Sequence, residues 1–121
     1  MEPLIFLTNY ENDYPKALQL YIDSNPHLVI CPENRLHHQG LKQLLENESI
    51  PFETQSFGID GFGPLQKGGR YELVGAGFAI ITDEKIHLHY KSRGYKIGIN
   101  REHAERINPL ISDTEISFDI L

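Results

Sequence analysis

Between Lys85 and Lys91 apolar and polar residues alternate, with Ile86, Leu88 and Tyr90 on one side and His87 and His89 on the other. A period of two belongs to a strand with one buried face. The alternation returns near the end of the chain, where Ile116, Phe118 and Ile120 mark a strand over 115–120 facing a core. Leu4–Thr8, Leu28–Cys31 and Pro51–Phe57 are short, apolar or branched, and predict three further strands. Arg70–Thr82 is also extended, with Gly75 and Gly77 marking a bulge or a close backbone approach. Helical spacing appears in three places. Ala17, Leu18, Tyr21 and Ile22 follow Pro15, which suits a first helical turn, and Asn25-Pro26 ends that segment. Leu41, Leu44 and Leu45 define a second helix over 35–48, with Asn34 placed to cap it. A third helix starts after Asn100 and is closed by Pro109. The connections are the polar stretch Asn9–Asp13, a long loop Gly58–Gly69, a turn at Asp83-Glu84 and a loop Ser92–Ile99.

The resulting order is β-α-β-α-β-β-β-α-β. Helices interleaved with strands predict an α/β protein, a single mixed sheet of about six strands packed with three helices. A length of 121 residues fits one domain spanning 1–121. The apolar run Phe78–Ile81 is only four residues long, far below the roughly 20 that a membrane span needs. Met1-Glu2-Pro3 lacks the basic start of a secretory signal, and the single cysteine, Cys31, excludes an internal disulfide. The expected compartment is therefore the cytoplasm.

The net charge of −6 argues against nucleic-acid binding. Its distribution changes the picture. Residues 85–106 carry a net charge of +4, from Lys85, Lys91, Arg93, Lys96, Arg101 and Arg106 against Glu102 and Glu105, while the other residues sum to −10. A positive stretch in an acidic chain is a candidate small-anion site. Within it, Ser92-Arg93-Gly94 leaves a strand. A hydroxyl, a turning backbone and a cation together suit the several acceptor oxygens of a phosphate. Gly68-Gly69-Arg70 is a second glycine–arginine element.

His37 and His38 lie in the first turn of the second predicted helix. The positive end of the helix dipole favours a neutral imidazole there. A neutral ring can serve as base or nucleophile, or simply pack on the nearby leucines. His87 and His89 share a strand face and have the spacing of two metal ligands, but no third ligand has a fixed spacing to them. The chain has no Walker A pattern, nucleophile elbow or dinucleotide fingerprint. No metal or other cofactor is expected.

In this order of elements the chain resembles the Janus/ocnus family, which includes the protein phosphohistidine phosphatases. The likeness is carried by His37-His38 opening a helix, Gly68-Gly69-Arg70, and Lys85-Ile86-His87 running into Ser92-Arg93-Gly94-Tyr95. A helix with Glu105 and Ile107, then Asp113 and Glu115, completes it. It covers Lys85–Phe118 best, residues 33–70 more loosely, and the first third only in strand placement. The resemblance implies a small α/β sandwich that cleaves a phosphoryl group without a metal. It makes His38 the candidate catalytic histidine, with His37 the competitor one position away. Ser92 and Gly94 would hold phosphate oxygens and Arg70 would assist, while Arg93, Lys96 or Arg101 could stand in for cations the family has elsewhere. The partner implied is a phosphorylated protein or a small phosphate.

The chain departs from the family pattern in two cations. The one on the first strand has no equivalent in Pro3–Thr8. The one on the strand before the histidine has none in Leu28–Cys31, and Arg35 substitutes poorly. The segment between Arg70 and Lys85 is also longer. These departures leave open a non-catalytic module that binds phosphate, a phosphopeptide or a protein on the same fold.

Overall fold

Lys16–Ile22 is a strand, with Ala17, Leu18, Gln19, Leu20 and Ile22 all buried. The computed structural model describes residues 1–8, 14–111 and 113–119. The expected polar stretch Asn9–Asp13 and the core position Ile120 lie outside the described residues.

In chain order the strands are β1 (Leu4–Phe6), β2 (Lys16–Ile22), β3 (Asn25–Cys31), β4 (Thr54–Ser56), β5 (Phe62–Pro64), β6 (Tyr71–Thr82), β7 (Lys85–His89), β8 (Lys91–Ser92), β9 (Ile97–Gly98) and β10 (Glu115–Phe118). The helices are α1 (His37–Asn47) and α2 (Arg101–Ile107), with short 3-10 turns at Gly58–Asp60 and Asn108–Leu110. The α/β class holds, but the described residues contain two α-helices where the sequence predicts three. The reason lies in β2, the third strand of a six-stranded sheet ordered β1-β3-β2-β6-β7-β10. A strand buried on both faces reads as a nearly continuous apolar run, and any such run also satisfies helical spacing. Asn25-Pro26 does not end a helix. Asp23 and Ser24, at φ 50° and 69°, make the two-residue turn of a hairpin between β2 and β3.

The four inner strands pair antiparallel, and each edge strand joins in parallel, β1 on β3 and β10 on β7. The predicted Gly58–Gly69 loop contains β5, which pairs with β4 as a separate hairpin. The predicted Ser92–Ile99 loop is the tight β8–β9 hairpin. No helix among the described residues is long and apolar enough to cross a membrane.

Leu41, Leu44 and Leu45 of α1 pack on Leu18, Leu20, Val29 and Leu73 on one face of the sheet. Ala104 and Ile107 of α2 pack on Ala17, Leu28, Ile30, Ile86 and Leu88 on the other. Gly40 sets how closely α1 approaches the sheet. A Cβ there would lie 2.5 Å from Cys31 Sγ and 3.2 Å from Cys31 Cβ. Alanine at 40 improves helix propensity by ~1 kcal/mol, but overpacking a close contact costs about 1–3 kcal/mol. G40A is therefore expected to lower the denaturant midpoint, and an unchanged midpoint would show that the contact relaxes freely. Burial pushes the Cys31 thiol up to about 12, so it is inert at neutral pH.

A polar link ties α2 to the central strand. Fully buried Gln19 accepts a hydrogen bond from the Asn100 N–H (2.7 Å) and donates to the Asn100 carbonyl (2.9 Å). Asn100 Oδ1 caps α2 by accepting the His103 N–H at 2.9 Å, as the sequence predicts for the start of this helix. His103, also fully buried, donates from Nε2 to the Leu20 carbonyl at 3.1 Å.

Candidate functional site

The start of α1 is set by Leu36, whose extended backbone ends the loop from β3. Asn34 is not the cap. The Leu36 N–H donates to Gln39 Oε1 at 2.9 Å. His37 and His38 are therefore the first two residues of the helix, and they point into different surroundings.

His37 Nε2 donates to the Gly77 carbonyl on β6 at 2.8 Å. A carbonyl can only accept, so the neutral ring carries its proton on Nε2 and leaves Nδ1 bare. Phe78 packs edge-on at 5.8 Å between centroids. Burial lowers the His37 pKa; the Gly77 bond opposes this, while the charges of Lys16 and His38 reinforce it. The close fit at Gly77 needs glycine, because a Cβ there would meet the His89 carbonyl at 2.5 Å. The histidine is thereby fixed beside the junction of β7 and β8.

His38 stacks on Phe57 at 4.3 Å between centroids and 12° between planes. Gly63 closes on the imidazole too, since a Cβ there would lie 2.6 Å from His38 Nδ1. Both ring nitrogens are buried without a hydrogen-bond partner. Burial lowers the His38 pKa, and nearby Asp60 opposes this.

The Ser92–Lys96 turn forms the other wall. Ser92 is buried and its Oγ accepts the Tyr95 N–H at 3.2 Å. The Tyr95 hydroxyl donates to the Pro64 carbonyl at 2.7 Å, tying the turn to the β4–β5 hairpin. Phe57 stands between the walls, edge-on to Tyr95 at 5.0 Å, and a Cβ on Gly94 would touch it at 3.4 Å.

These groups surround one cleft of about 870 Å³. Of the residues expected from sequence, His37, His38, Ser92, Arg93 and Gly94 all line it. Arg70 does not, and the position expected for it is corrected here. It forms a bidentate pair with Asp23, Nε–Oδ1 3.0 Å and Nη2–Oδ2 2.7 Å, which clamps the β2–β3 turn. This hydrogen-bonded pair holds the Asp23 carboxyl below its usual range.

Lys91 and Lys96, from the positive stretch that the sequence singled out, also line the cleft; sequence reasoning missed Lys16, and Phe57 as the ring between the walls. Lys16 was hidden by the helical reading of β2. Its ammonium donates to the Glu33 and Arg35 carbonyls, each at 2.6 Å, and lies 5.8 Å from the Phe78 ring centroid. It thus braces the loop that presents His37, and one of its three N–H donors remains for a ligand. Burial lowers its pKa, and Glu33 opposes this. Asp60 is the lone carboxylate among the lining residues.

The pair His87 and His89 lies outside this cleft. His87 accepts from the Ser117 hydroxyl at Nδ1 (2.7 Å) and donates from Nε2 to Asp119 (3.0 Å). Both nitrogens are therefore committed. Among the described residues no group of three or more His, Cys, Asp or Glu is placed to hold a metal. Compared with known proteins, the chain matches no family model and no curated protein.

Proposed function

We propose that the cleft binds a phosphoryl group and hydrolyses it without a metal, with His37 as the catalytic histidine. The observation that carries this reading is the cleft's charge. Lys16, Lys91, Arg93 and Lys96 face one carboxylate in a chain of net charge −6. The start of α1 adds the positive end of its dipole. The strand cation sought without success in Pro3–Thr8 has a counterpart in Lys16 of β2, which supports the Janus/ocnus-like reading.

The chemistry follows from the anchored ring. Nδ1 of His37 accepts a proton from water as the water oxygen bonds phosphorus. The bond from phosphorus to its nitrogen or oxygen leaving group breaks, and the proton passes to that group. The cations and Ser92 hold the oxygens where negative charge accumulates, and such positioning supplies most of the catalysis in phosphoryl transfer. Phosphohistidine, or a related phosphoryl compound, is the substrate. His37 takes the place that sequence alone gave to His38, because a base needs one nitrogen fixed and the other open.

The test is hydrolysis of phosphohistidine or an aryl phosphate with EDTA present, beside binding of inorganic phosphate. Arg93→Ala is expected to weaken phosphate binding by about five- to tenfold, the loss of one charge-assisted contact. Turnover that EDTA abolishes, or phosphate binding indifferent to Arg93, would overturn the proposal. A second reading, binding without turnover, is favoured by the strand before the histidines, where the buried apolar run Leu28–Cys31 supplies no cation. Phosphate binding with no hydrolysis would select it.

A further inference from the structure

The core between α1 and the sheet draws on β2, β3 and β6 and takes no residue of β7 or β10. On that face the register sets Ile80 of β6, His87 of β7 and Ser117 of β10 side by side. Ile80 and Ser117 are exposed, and the His87 side chain is 33% exposed, so a solute reaches all three. The Ser117 hydroxyl donates to Nδ1 of His87 at 2.7 Å, and Nε2 of the same ring donates to Asp119 at 3.0 Å. A serine whose proton points at a bare imidazole nitrogen, on a ring whose other N–H is held by a carboxylate, has the three roles of a nucleophile, its base and the group that orients the base. Such a trio is recognised by those roles and not by chain order. The backbone adds a donor. Glu115 and Asp119 direct their N–H groups at carbonyls beside and within β7, while the Ile116 N–H turns the other way, to Asn108 Oδ1. By the same alternation the Phe118 N–H points off the free edge of the sheet. An N–H one residue after a nucleophilic serine is a recurring donor to the oxyanion that forms when the hydroxyl attacks a carbonyl.

We infer that Ser117, His87 and Asp119 form a second active site, which hydrolyses small carboxylic esters. Ser117 Oγ bonds the ester carbonyl carbon as its proton passes to His87 Nδ1. The bond from that carbon to the alcohol oxygen breaks, and His87 returns the proton to the departing oxygen. Water then attacks the acyl-serine by the same steps, releasing the acid and restoring the hydroxyl. Asp119 is a positioning residue that fixes the tautomer of His87. Exposed Ile80, next to His87 in the register, gives the acyl chain an apolar seat. None of the three residues lines the cationic cleft, so this activity stands apart from the phosphoryl reading.

The experiment incubates the full chain with p-nitrophenyl acetate. Nitrophenolate release is followed, and the acetyl group is located by peptide mass spectrometry after an acid quench. The expected result is turnover above the buffer rate with an acetyl group on Ser117, and a loss of at least about tenfold in S117A and H87Q. D119A should lose activity that D119E recovers in part. S117A alters an exposed position and should keep the urea midpoint of the unmodified protein, so that its loss reports chemistry and not unfolding. No turnover above buffer, turnover that persists in S117A, or an acetyl group confined to histidine or lysine side chains would overturn the inference.

Discussion

H37A is expected to reduce kcat/KM for a phosphohistidine substrate by about 10²–10⁴-fold, the usual contribution of a positioned general base. That range corresponds to about 3–5 kcal/mol of transition-state stabilisation. H38A is expected to stay within about tenfold of the unmodified protein. The two side chains are neighbours in sequence but not in chemistry. His37 has Nε2 tethered to the Gly77 carbonyl, whereas His38 has both nitrogens shut between Phe57 and Gly63. The same assignment fixes the pH profile. Burial lowers the His37 pKa, so the neutral, active form persists below the ordinary imidazole value of about 6.5. Activity should therefore fall on the acid side only, with its midpoint below that value. Steady-state kinetics of both variants across pH 4–8 would decide the matter. A large loss in H38A with H37A intact would return the role to His38, and two fully active variants would end the enzymatic reading.

Acidification is expected to destabilise the fold between about pH 6.5 and 4, and His103 is the main cause. Its folded-state pKa is lowered to about 4, chiefly by burial, with the bond to the Leu20 carbonyl opposing the shift. In the unfolded chain the ring titrates near ~6.5. Between those values the unfolded state binds the extra proton, so stability is complete above ~6.5 and declines as the pH drops toward 4. The span corresponds to at most about 3 kcal/mol. His27, His37 and His38 are shifted in the same direction and add to the trend. Urea titrations at several pH values would measure it. H103Q, which keeps a donor for Leu20 but does not titrate, should show a much flatter pH dependence. An equally steep variant would remove His103 from the explanation.

What the sequence made legible follows from which signals are local. The alternation from Lys85 to His89 and from Glu115 to Phe118, the cap at Asn100 and the leucine face of α1 each depend on a few neighbouring residues, and each is found in the fold. The expected continuation to Lys91 fails at Tyr90, which at φ 70° and 42% exposed breaks the strand and leaves the core. The failure at β2 is tertiary. Only its place between β3 and β6 buries both faces, and that place is not written in residues 15–22. Losing β2 also lost Lys16 from the list of cleft cations. The Ser92–Gly94 turn and the histidine pair, which line one cleft, stood out in the sequence because they sit in polar or glycine-containing breaks between periodic segments. The proposed preference for His37 over His38 rests on the Gly77 carbonyl, 40 residues further along the chain. Arg70 misled because a glycine–arginine step looks the same whether the guanidinium meets an anionic ligand or, as here, the Asp23 carboxylate.

With parallel pairing at each border of the sheet, β1 and β10 form its opposite margins. β1 and β10 lie five strand spacings apart along the sheet, up to about 24 Å at ~4.8 Å each. The same arrangement makes the sheet a natural molecular ruler, since a donor dye on β1 and an acceptor on β10 would report directly on whether it is intact.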